Sequence, residues 1–236
     1  MAKVLGIILA RAGSVGLPQK NELDLCGKPM LRWTIDHALG AGCLDEVVLS
    51  TDGERLAAIG EDAGVKVMMR PSELATGTAT VDAAARDVVE KMEADGERFD
   101  AVVILYGNVP VRPVDLTDRA VKKLWESGGD SVQSVSPVEK MHPYWMKTVG
   151  DEDELLMYED NHVYRRQDLP PVYILDGGMI AVTRASLFDV VEGEPHAFLG
   201  KDRRAVVTGV GEVVDVDSMI DMKVAEAVLA AHGNGG

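Results

Sequence analysis

Residues 4–21 of this chain read VLGIILARAGSVGLPQKN, and this stretch decides the fold. The run from Val4 to Ala10 is short and uniformly apolar, and turn residues follow it at once. A run with these properties is typical of a buried strand rather than of a surface helix. The stretch therefore predicts a central strand of a sheet, followed by a loop.

The loop after this strand has the composition of an anion-binding loop. Its small residues, Gly13, Ser14 and Gly16, let the backbone approach a ligand closely and present N–H groups to an anion. Arg11 and Lys20 place a positive charge at each end. We interpret the loop as a site for nucleotide phosphates. A plain turn with surface cations is the alternative, because the pattern matches neither G-x-G-x-x-G nor G-x-x-x-x-G-K-[ST].

Strand-like and helix-like segments alternate along the rest of the chain, which predicts an α/β fold: a mostly parallel sheet with helices on both faces. Further strands are predicted at residues 46–50, 65–69, 101–105, 131–136, 179–183, 205–208 and 212–215. Helices are predicted at residues 29–41, 54–63, 79–94, 114–126, 185–191 and after a capping box at Ser218-x-x-Asp221. The buried face of that last helix is predicted to consist of Ile220, Val224, Ala227, Val228 and Ala231.

One segment interrupts the alternation. Residues from about 138 to 172 contain an acidic run, Asp151–Glu154, and the sequence YRRQ at 164–167. The segment is too short to bury a core of its own, which favours an inserted arm over a separate domain. We therefore expect one domain over residues 1–232, with a flexible tail at 233–236.

Composition and charge exclude several classes of partner. The 236-residue chain is 46% hydrophobic and carries a formal net charge of −15. Binding to nucleic acid or to an anionic membrane surface needs a basic face, which this balance disfavours, although local cations still allow an anionic small substrate. The two cysteines, Cys26 and Cys43, have no metal-site spacing. With no leader and no membrane-spanning run, we expect a cytoplasmic protein.

A pair of carboxylates near the carboxyl end is the candidate metal site. Asp215 and Asp217 are two residues apart on a predicted strand, so their side chains would point to one face. Mg²⁺ commonly takes one or two carboxylates together with phosphate oxygens. Because parallel strands end at a shared edge, the pair would lie beside the opening loop. The alternative is that Asp217 caps a turn and Asp215 is solvated.

Other polar residues follow the predicted strands. Asp52 is expected to act as the N-cap of the helix at 54–63. Arg70, Arg112, Arg165 and Arg166 would gather positive charge on one edge of an otherwise acidic protein.

These features together resemble a known family. IILARAGSVGLPQKN at 7–21 resembles the opening motif of the CMP-sialic acid synthetases, the cytidylyltransferases that activate acidic sugars. The likeness continues in order through LSTDG at 49–53, RPSELATGTAT at 70–80, VPVR at 109–112, RRQDLP at 165–170, DGGMIAV at 176–182 and VVDVDSMIDMKVAE at 213–226.

The resemblance implies a Rossmann-like nucleotidyltransferase, usually a homodimer, whose inserted arm reaches over the active site of the partner. A sugar hydroxyl would attack the α-phosphate of CTP with release of pyrophosphate, in the presence of Mg²⁺. The implied catalytic residues are Arg11, Lys20 and Asp217, and the implied metal ligands are Asp215 and Asp217. The implied nucleotide-binding residues are Leu9, Ala10, Arg11, Ala12, Gly13, Ser14, Lys20, Asn21, Arg70 and Ala79. The implied sugar-binding residues are Tyr106, Asn108, Arg166, Asp176 and Gly177.

The chain also departs from the family pattern. Val15 stands where a lysine is usual, and Val81 replaces a hydroxyl residue on the nucleotide side. Tyr106 stands where a sugar-binding glutamine is expected, and Asp176 replaces an amide. A carboxylate at Asp176 would pair with an amino group or repel a substrate carboxylate. We therefore expect CTP and an acidic or amino sugar, with an acceptor other than ordinary N-acetylneuraminate.

Three alternatives remain open. One is a sugar-1-phosphate nucleotidyltransferase that uses GTP or another NTP. A second is a nucleotide-sugar sensing module without turnover, which would need the metal pair or the loop cations to be broken, and both are intact in the sequence. A third, a flavodoxin-like or NAD-binding domain, lacks the G-x-G-x-x-G fingerprint and has no use for the Asp215-x-Asp217 pair.

Overall fold

The computed structural model describes residues 2–13 and 16–233. Its strands, in chain order, are β1 (Val4–Leu9), β2 (Asp24–Leu25), β3 (Lys28–Pro29), β4 (Glu46–Thr51), β5 (Lys66–Met69), β6 (Ala101–Tyr106), β7 (Ser131–Pro137), β8 (Lys147–Val149), β9 (Leu155–Met157), β10 (Tyr173–Thr183) and β11 (Arg203–Val207). Its α-helices are α1 (Met30–Gly40), α2 (Glu54–Asp62), α3 (Val81–Ala94), α4 (Leu116–Ser127), α5 (Arg184–Leu187) and α6 (Met219–Gly233).

A seven-stranded sheet organises the described part of the chain. The strand order is β11-β7-β10-β6-β1-β4-β5, so the opening strand β1 lies inside the sheet between β6 and β4. All neighbours pair in parallel except β10, which runs antiparallel to both β6 and β7. The predicted, mostly parallel sheet is confirmed. The carboxyl ends of six strands therefore meet at one edge, the place where ligands bind in such sheets.

Strand β1 is buried on both faces, as its uniform apolar run predicts. Val4 and Ile8 face one core together with α1, α2 and α4, whereas Leu5, Ile7 and Leu9 face a second core formed with α3. Each such aliphatic side chain contributes roughly 1.5–3 kcal/mol when it is fully buried. The helices therefore cover both faces, and the strand that carries the candidate phosphate loop is held firmly.

The strand predicted at residues 212–215 is wrong. Within the described ranges these residues form no strand, and Val214 makes a single antiparallel bridge with Val111. The reason is packing: Val214 and Val216 enter a third, smaller core beside Met222, rather than extending the sheet. The valines are still buried and the aspartates still exposed in alternation, although these residues do not pair as a strand.

Helix α6 begins as predicted, but of its predicted buried face only Val228 packs against the third core. Oδ2 of Asp221 accepts hydrogen bonds of 2.8 Å from both the backbone N and Oγ of Ser218, which confirms the capping box. Met222 and Ala225 are the buried residues, whereas Ile220 is 76% exposed and Val224 44% exposed. The helix is apolar on nearly every side, so periodicity alone could not select the face that meets the third core.

The segment between β7 and β10 leaves the sheet. It contains short 3₁₀ turns and the antiparallel β8–β9 hairpin. Apolar side chains on it are solvent-exposed, with Leu155 at 70% and Tyr164 at 91%. In the described part of the chain, no helix has the length and apolar character to cross a membrane.

Candidate active site

A cavity of about 310 Å³ opens at the shared edge of the parallel strands. Residues from the ends of β1, β5 and β6 and from the start of α3 converge on it. The predicted nucleotide-binding residues that line it are Leu9, Arg11, Lys20, Asn21, Arg70 and Ala79, joined by the predicted sugar residues Tyr106 and Asn108. Ala10 is instead buried, with its N–H bonded to Ser50. Ser14 and Val15 lie outside the described residues.

The loop after β1 is fixed by Asp52. Its Oδ1 accepts a hydrogen bond of 2.8 Å from the backbone N of Ala12. The sequence-based role for Asp52 as a helix cap is wrong, because Gly53 occupies the N-cap of α2 and no described side chain caps it. A side chain at Gly53 would come within 2.9 Å of the Ala12 Cβ, so the two loops are in close contact. The Ala12 N–H is thus already engaged.

Two guanidinium groups give the cavity its positive charge. Arg70 donates to Ser50 Oγ at 3.1 Å and to Ser50 O at 2.9 Å, which holds it against the end of β4. Burial lowers the pKa of Arg70 and Arg11 adds to this effect, whereas Asp52 and Asp87 act in the opposite direction. Two neighbouring cations repel each other, and a bound anion reduces that repulsion. This arrangement therefore favours a bound phosphate.

Asn21 supplies an unpaired acceptor to the same wall. The side chain is only 5% exposed, and its Nδ2 donates to Arg11 O at 3.2 Å. Its Oδ1 has no hydrogen-bond partner among the described residues. A buried amide oxygen without a hydrogen-bond partner is costly.

The two candidate metal carboxylates lie next to the cavity. Lys20 Nζ donates to Asp217 Oδ1 at 2.5 Å and to Val216 O at 3.1 Å. On the other side, Asn108 Nδ2 donates to Asp215 Oδ1 at 2.5 Å. Partial burial and the nearby Asp217 charge raise the pKa of Asp215, while Lys20 and Arg112 oppose that shift. The pair carries negative charge that a cation would relieve.

The donor chemistry of this pair fits Mg²⁺ only if phosphate completes the site. The described residues contain no group of three or more His, Cys, Asp or Glu side chains that could form a cage around a metal. The adjacent Asp221 carboxylate caps α6. Mg²⁺ is commonly held by one or two carboxylates together with substrate phosphates. Two hard oxygen donors beside a cation-lined cavity match that arrangement.

Comparison with known proteins then identifies the family. The family described as "Cytidylyltransferase" matches residues 5–187. This chain is a cytidylyltransferase. It is 30% identical over 232 residues to the CMP-N,N'-diacetyllegionaminic acid synthase of Legionella pneumophila, an alignment that covers 96% of each chain. It is 27% identical over 234 residues to a pseudaminic acid cytidylyltransferase of Campylobacter jejuni, covering 98% of this chain and 97% of that protein.

The fold is also found in a solved structure. The structure of CMP:2-keto-3-deoxy-manno-octonic acid synthetase complexed with CTP superposes with a TM-score of 0.74 at 20% identity, covering 98% of this chain and 100% of that one. The Rossmann-like nucleotidyltransferase fold predicted from the sequence is confirmed. The predicted likeness to CMP-sialic acid synthetases is confirmed by the family and the relatives.

Arg112 does not take the position expected of a substrate-facing cation in this cytidylyltransferase. Its guanidinium donates to the backbone O of Gly178, to Thr34 Oγ1 at 3.0 Å and to Tyr106 O at 2.9 Å. Burial lowers its pKa to about 9, against the opposing charges of Asp215 and Asp176. Arg112 therefore ties the end of β6 to α1 and β10 beneath the site.

Asp176 is likewise turned inward. Its Oδ1 accepts from Ser134 Oγ and from Gly178 N at 2.9 Å, and its Oδ2 accepts from Thr208 Oγ1 at 2.7 Å. Asp176 lies in the irregular part of β10, between Leu175 and Ile180. The expectation that this carboxylate meets an amino or carboxylate group of the substrate is therefore corrected, because both oxygens are used within the sheet.

The remaining predicted sugar residues divide between two places. Gly177, at φ +75°, lies beside Asp215, where a Cβ would be 3.4 Å from Oδ2. Arg166 lies in a 3₁₀ turn of the arm, 3.7 Å from Glu139, and does not line the cavity. Within one chain, the structure does not bring Arg166 to the other predicted site residues.

A second cavity of about 360 Å³ adjoins the first and was missed by sequence reasoning. The two cavities share Thr80, Val81 and Tyr106. Its remaining wall has polar groups from Asp82, Gln133, His196 and Arg203, and its apolar residues are Leu175, Ile180, Pro195, Phe198 and Leu199. No local motif marks these residues, because they come from distant parts of the chain and look like ordinary core positions.

Proposed function

We propose that this protein transfers CMP from CTP to the hydroxyl of a sialic acid-like, nonulosonic sugar, with Mg²⁺ and release of pyrophosphate. One observation carries the proposal: Lys20 bridges the Asp215–Asp217 segment and a cavity lined by Arg11 and Arg70. Triphosphate, metal and an attacking hydroxyl need this combination of charges at one place. The names of the relatives support a nonulosonic acceptor.

In the proposed reaction, a bond forms between the sugar oxygen and the α-phosphorus, and the bond from that phosphorus to the bridging oxygen of pyrophosphate breaks. Arg11, Lys20 and Arg70 hold the triphosphate and stabilise the charge that develops on the leaving group. Asn21 lines the same cavity and would contact the nucleoside. Asp215 and Asp217 would hold Mg²⁺, which supplies charge neutralisation when it is bound.

The sugar is proposed to occupy the second cavity. Tyr106 lines both cavities, so an acceptor in the second one would lie next to the nucleotide in the first. Apolar residues such as Phe198 and Leu199 suit the methyl groups of acyl substituents better than hydroxyl groups alone. The acceptor class is thus an acylated acidic sugar rather than a fully hydroxylated one.

The assembly is proposed to be a homodimer built on the arm, acting in the cytoplasm. Leu155 and Tyr164 expose apolar surface that a second copy would cover. Arg166 lies on the same arm, outside the cavity of its own chain, and would reach the active site of the partner. The charge of −15 supports the absence of nucleic-acid and membrane partners.

Pyrophosphate release tests the proposal. Purified protein is assayed with Mg²⁺ over a matrix of CTP, GTP, ATP and UTP against N-acylated nonulosonic acids, unacylated keto-deoxy acids and sugar 1-phosphates. We expect release with CTP and a nonulosonic acid, and a loss of at least about 100-fold in Lys20→Met. Lys122→Met on the exposed side of α4 is the matched control and should retain activity.

Other outcomes point to the alternatives. Release only with GTP and a sugar 1-phosphate would replace this function with that of a sugar-1-phosphate nucleotidyltransferase. Nucleotide binding without release for any pair would indicate a sensing module. Rapid turnover of N-acetylneuraminate would overturn the hypothesis of an altered acceptor.

A further inference from the structure

Asn108, which the sequence assigns to the sugar, is hydrogen-bonded to Asp215 and Val216. Its Nδ2 donates to Asp215 Oδ1 at 2.5 Å and to the backbone O of Val216 at 3.3 Å. Its own backbone O accepts from Val216 N at 2.9 Å. Asn108 therefore binds residues 215–217, the carboxylate segment, through both its side chain and its backbone.

The carboxylate segment needs this support because it belongs to no strand. Before it, Val214 N donates to Val111 O at 3.3 Å, a single bridge. After it, Lys20 Nζ donates to Val216 O and to Asp217. The Val216 carbonyl thus accepts from Asn108 on one side and from Lys20 on the other. The two donors hold one peptide between them, and each also binds one of the two carboxylates.

The two oxygens of Asp215 have different surroundings. Oδ1 is occupied by the Asn108 amide, whereas Oδ2 faces Gly177, where a Cβ would lie only 3.4 Å away. An amide donor on one oxygen restricts rotation of the carboxylate. A carboxylate held in this way presents its other oxygen in one direction.

We propose that Asn108 is a positioning residue for the metal site: it occupies Oδ1 of Asp215 and so leaves Oδ2 as the oxygen that would hold the divalent cation. The inference rests on the proposed function, because it takes Asp215 and Asp217 as the residues that hold the cation. It replaces the sequence-based assignment of Asn108 to the sugar. Asn108 itself does not touch the metal; it acts through Asp215.

Mn²⁺ is the probe, followed by electron paramagnetic resonance in the presence of CTP and without sugar. Asn108→Leu keeps the approximate volume of the side chain and removes the donor. We expect the Mn²⁺ affinity of its CTP complex to fall about tenfold or more. CTP affinity without metal should stay near that of the wild type. Ser127→Ala, which removes hydrogen bonds at the distant end of α4, is the control and should not change Mn²⁺ affinity.

Steady-state kinetics separate the two roles of Asn108. At saturating Mg²⁺, Asn108→Leu should leave the KM of the acceptor sugar within about twofold of the wild-type value. An unchanged Mn²⁺ affinity together with a raised KM for the sugar would overturn the proposal and return Asn108 to the sugar site. Should the leucine variant fail to fold, Asn108→Ala gives the same comparison.

The wild-type measurement distinguishes failure of this inference from failure of the proposed function. If the wild type shows no CTP-dependent Mn²⁺ binding, the metal site itself is rejected, and the positioning role falls with it. If the wild type binds Mn²⁺ and Asn108→Leu binds it equally well, only the role of Asn108 is rejected.

Discussion

At the scale of single residues, the charges of the site are shaped by neighbours that contact no substrate. Asp52 holds the loop after β1 through the Ala12 N–H, although it lies among the arginines that would bind phosphate. The negative charge of Asp52 weakens the attraction of this site for an anionic ligand. We therefore infer that Asp52 serves to fix the loop after β1. A neutral acceptor would preserve that geometry.

The two roles of Asp52 can be separated by substitution. Asp52→Ala leaves the Ala12 N–H without its acceptor, which costs about 1 kcal/mol at a partly exposed site and should raise the KM for CTP about fivefold. Asp52→Asn retains an oxygen acceptor and should stay within twofold of the wild type. Steady-state kinetics and thermal unfolding of both variants provide the check. Equal effects of the two substitutions would show that the charge, not the hydrogen bond, matters.

At the scale of elements, α6 anchors the segment that carries the carboxylates. Met222 packs with Val214 and Val216 in the third core, whereas Ile220, two residues earlier, is exposed. A helix that is apolar on nearly all sides thus has one structural face and one open face.

Alanine substitution distinguishes these two faces. Met222→Ala removes a buried side chain and should lower the free energy of unfolding by about 2–4 kcal/mol. Ile220→Ala should change it by less than about 0.5 kcal/mol. Urea unfolding of both variants measures the difference. Comparable losses would mean that Ile220 is covered in solution, as in a dimer.

The contact between α1 and α4 contains a pH-sensitive histidine outside the site. His37 Nε2 lies 2.9 Å from Thr117 Oγ1. Burial and the nearby Arg112 lower the pKa of His37 to about 4, against a smaller opposing effect of Asp118. The folded state therefore keeps the ring neutral at pH values where the unfolded chain binds a proton.

For this reason, the stability of the fold should decrease as the pH is lowered. Because the unfolded ring titrates near 6.5, the contribution is fully present above that value and is lost progressively towards pH 4. The loss attributable to His37 is about 2 kcal/mol at pH 5. His37→Gln should remove about this much of the pH dependence in urea unfolding between pH 7 and pH 5. His162→Gln, an exposed control, should leave the dependence unchanged.

At the scale of the whole molecule, the arm is the part of the chain on which the proposed dimer depends. Arg166 lies away from the cavity of its own chain, and the apolar arm surface is uncovered. If the arm forms the proposed dimer, disrupting it should remove both assembly and turnover.

Leu155→Glu places a charge on that surface and should convert the dimer to a monomer. We expect at least about a tenfold loss of pyrophosphate release with an unchanged far-UV spectrum. Light scattering after gel filtration gives the mass. Val114→Glu, at an exposed apolar residue outside the arm, should remain dimeric. A wild-type chain that is monomeric at micromolar concentration would contradict the prediction.

Local patterns were sufficient to predict much of this protein from its sequence. The run at Val4–Ala10, five of the other sheet strands within about two residues, and the Ser218-x-x-Asp221 capping box depend on neighbours in the chain. The convergence of Arg11, Lys20 and Arg70 also followed, because parallel strands end at one edge.

Only the tertiary structure decided which partners the polar side chains have. Asp52 binds Ala12, Asn108 binds Asp215, and Asp176 turns towards Ser134 and Thr208, across separations of 40, 107, 42 and 32 residues. The buried face of α6 and the second cavity were decided in the same way. Sequence periodicity describes one element at a time, whereas these features depend on how distant elements pack. A carboxylate can cap a helix, bind a loop or hold a metal, and the groups that the fold brings next to it decide which.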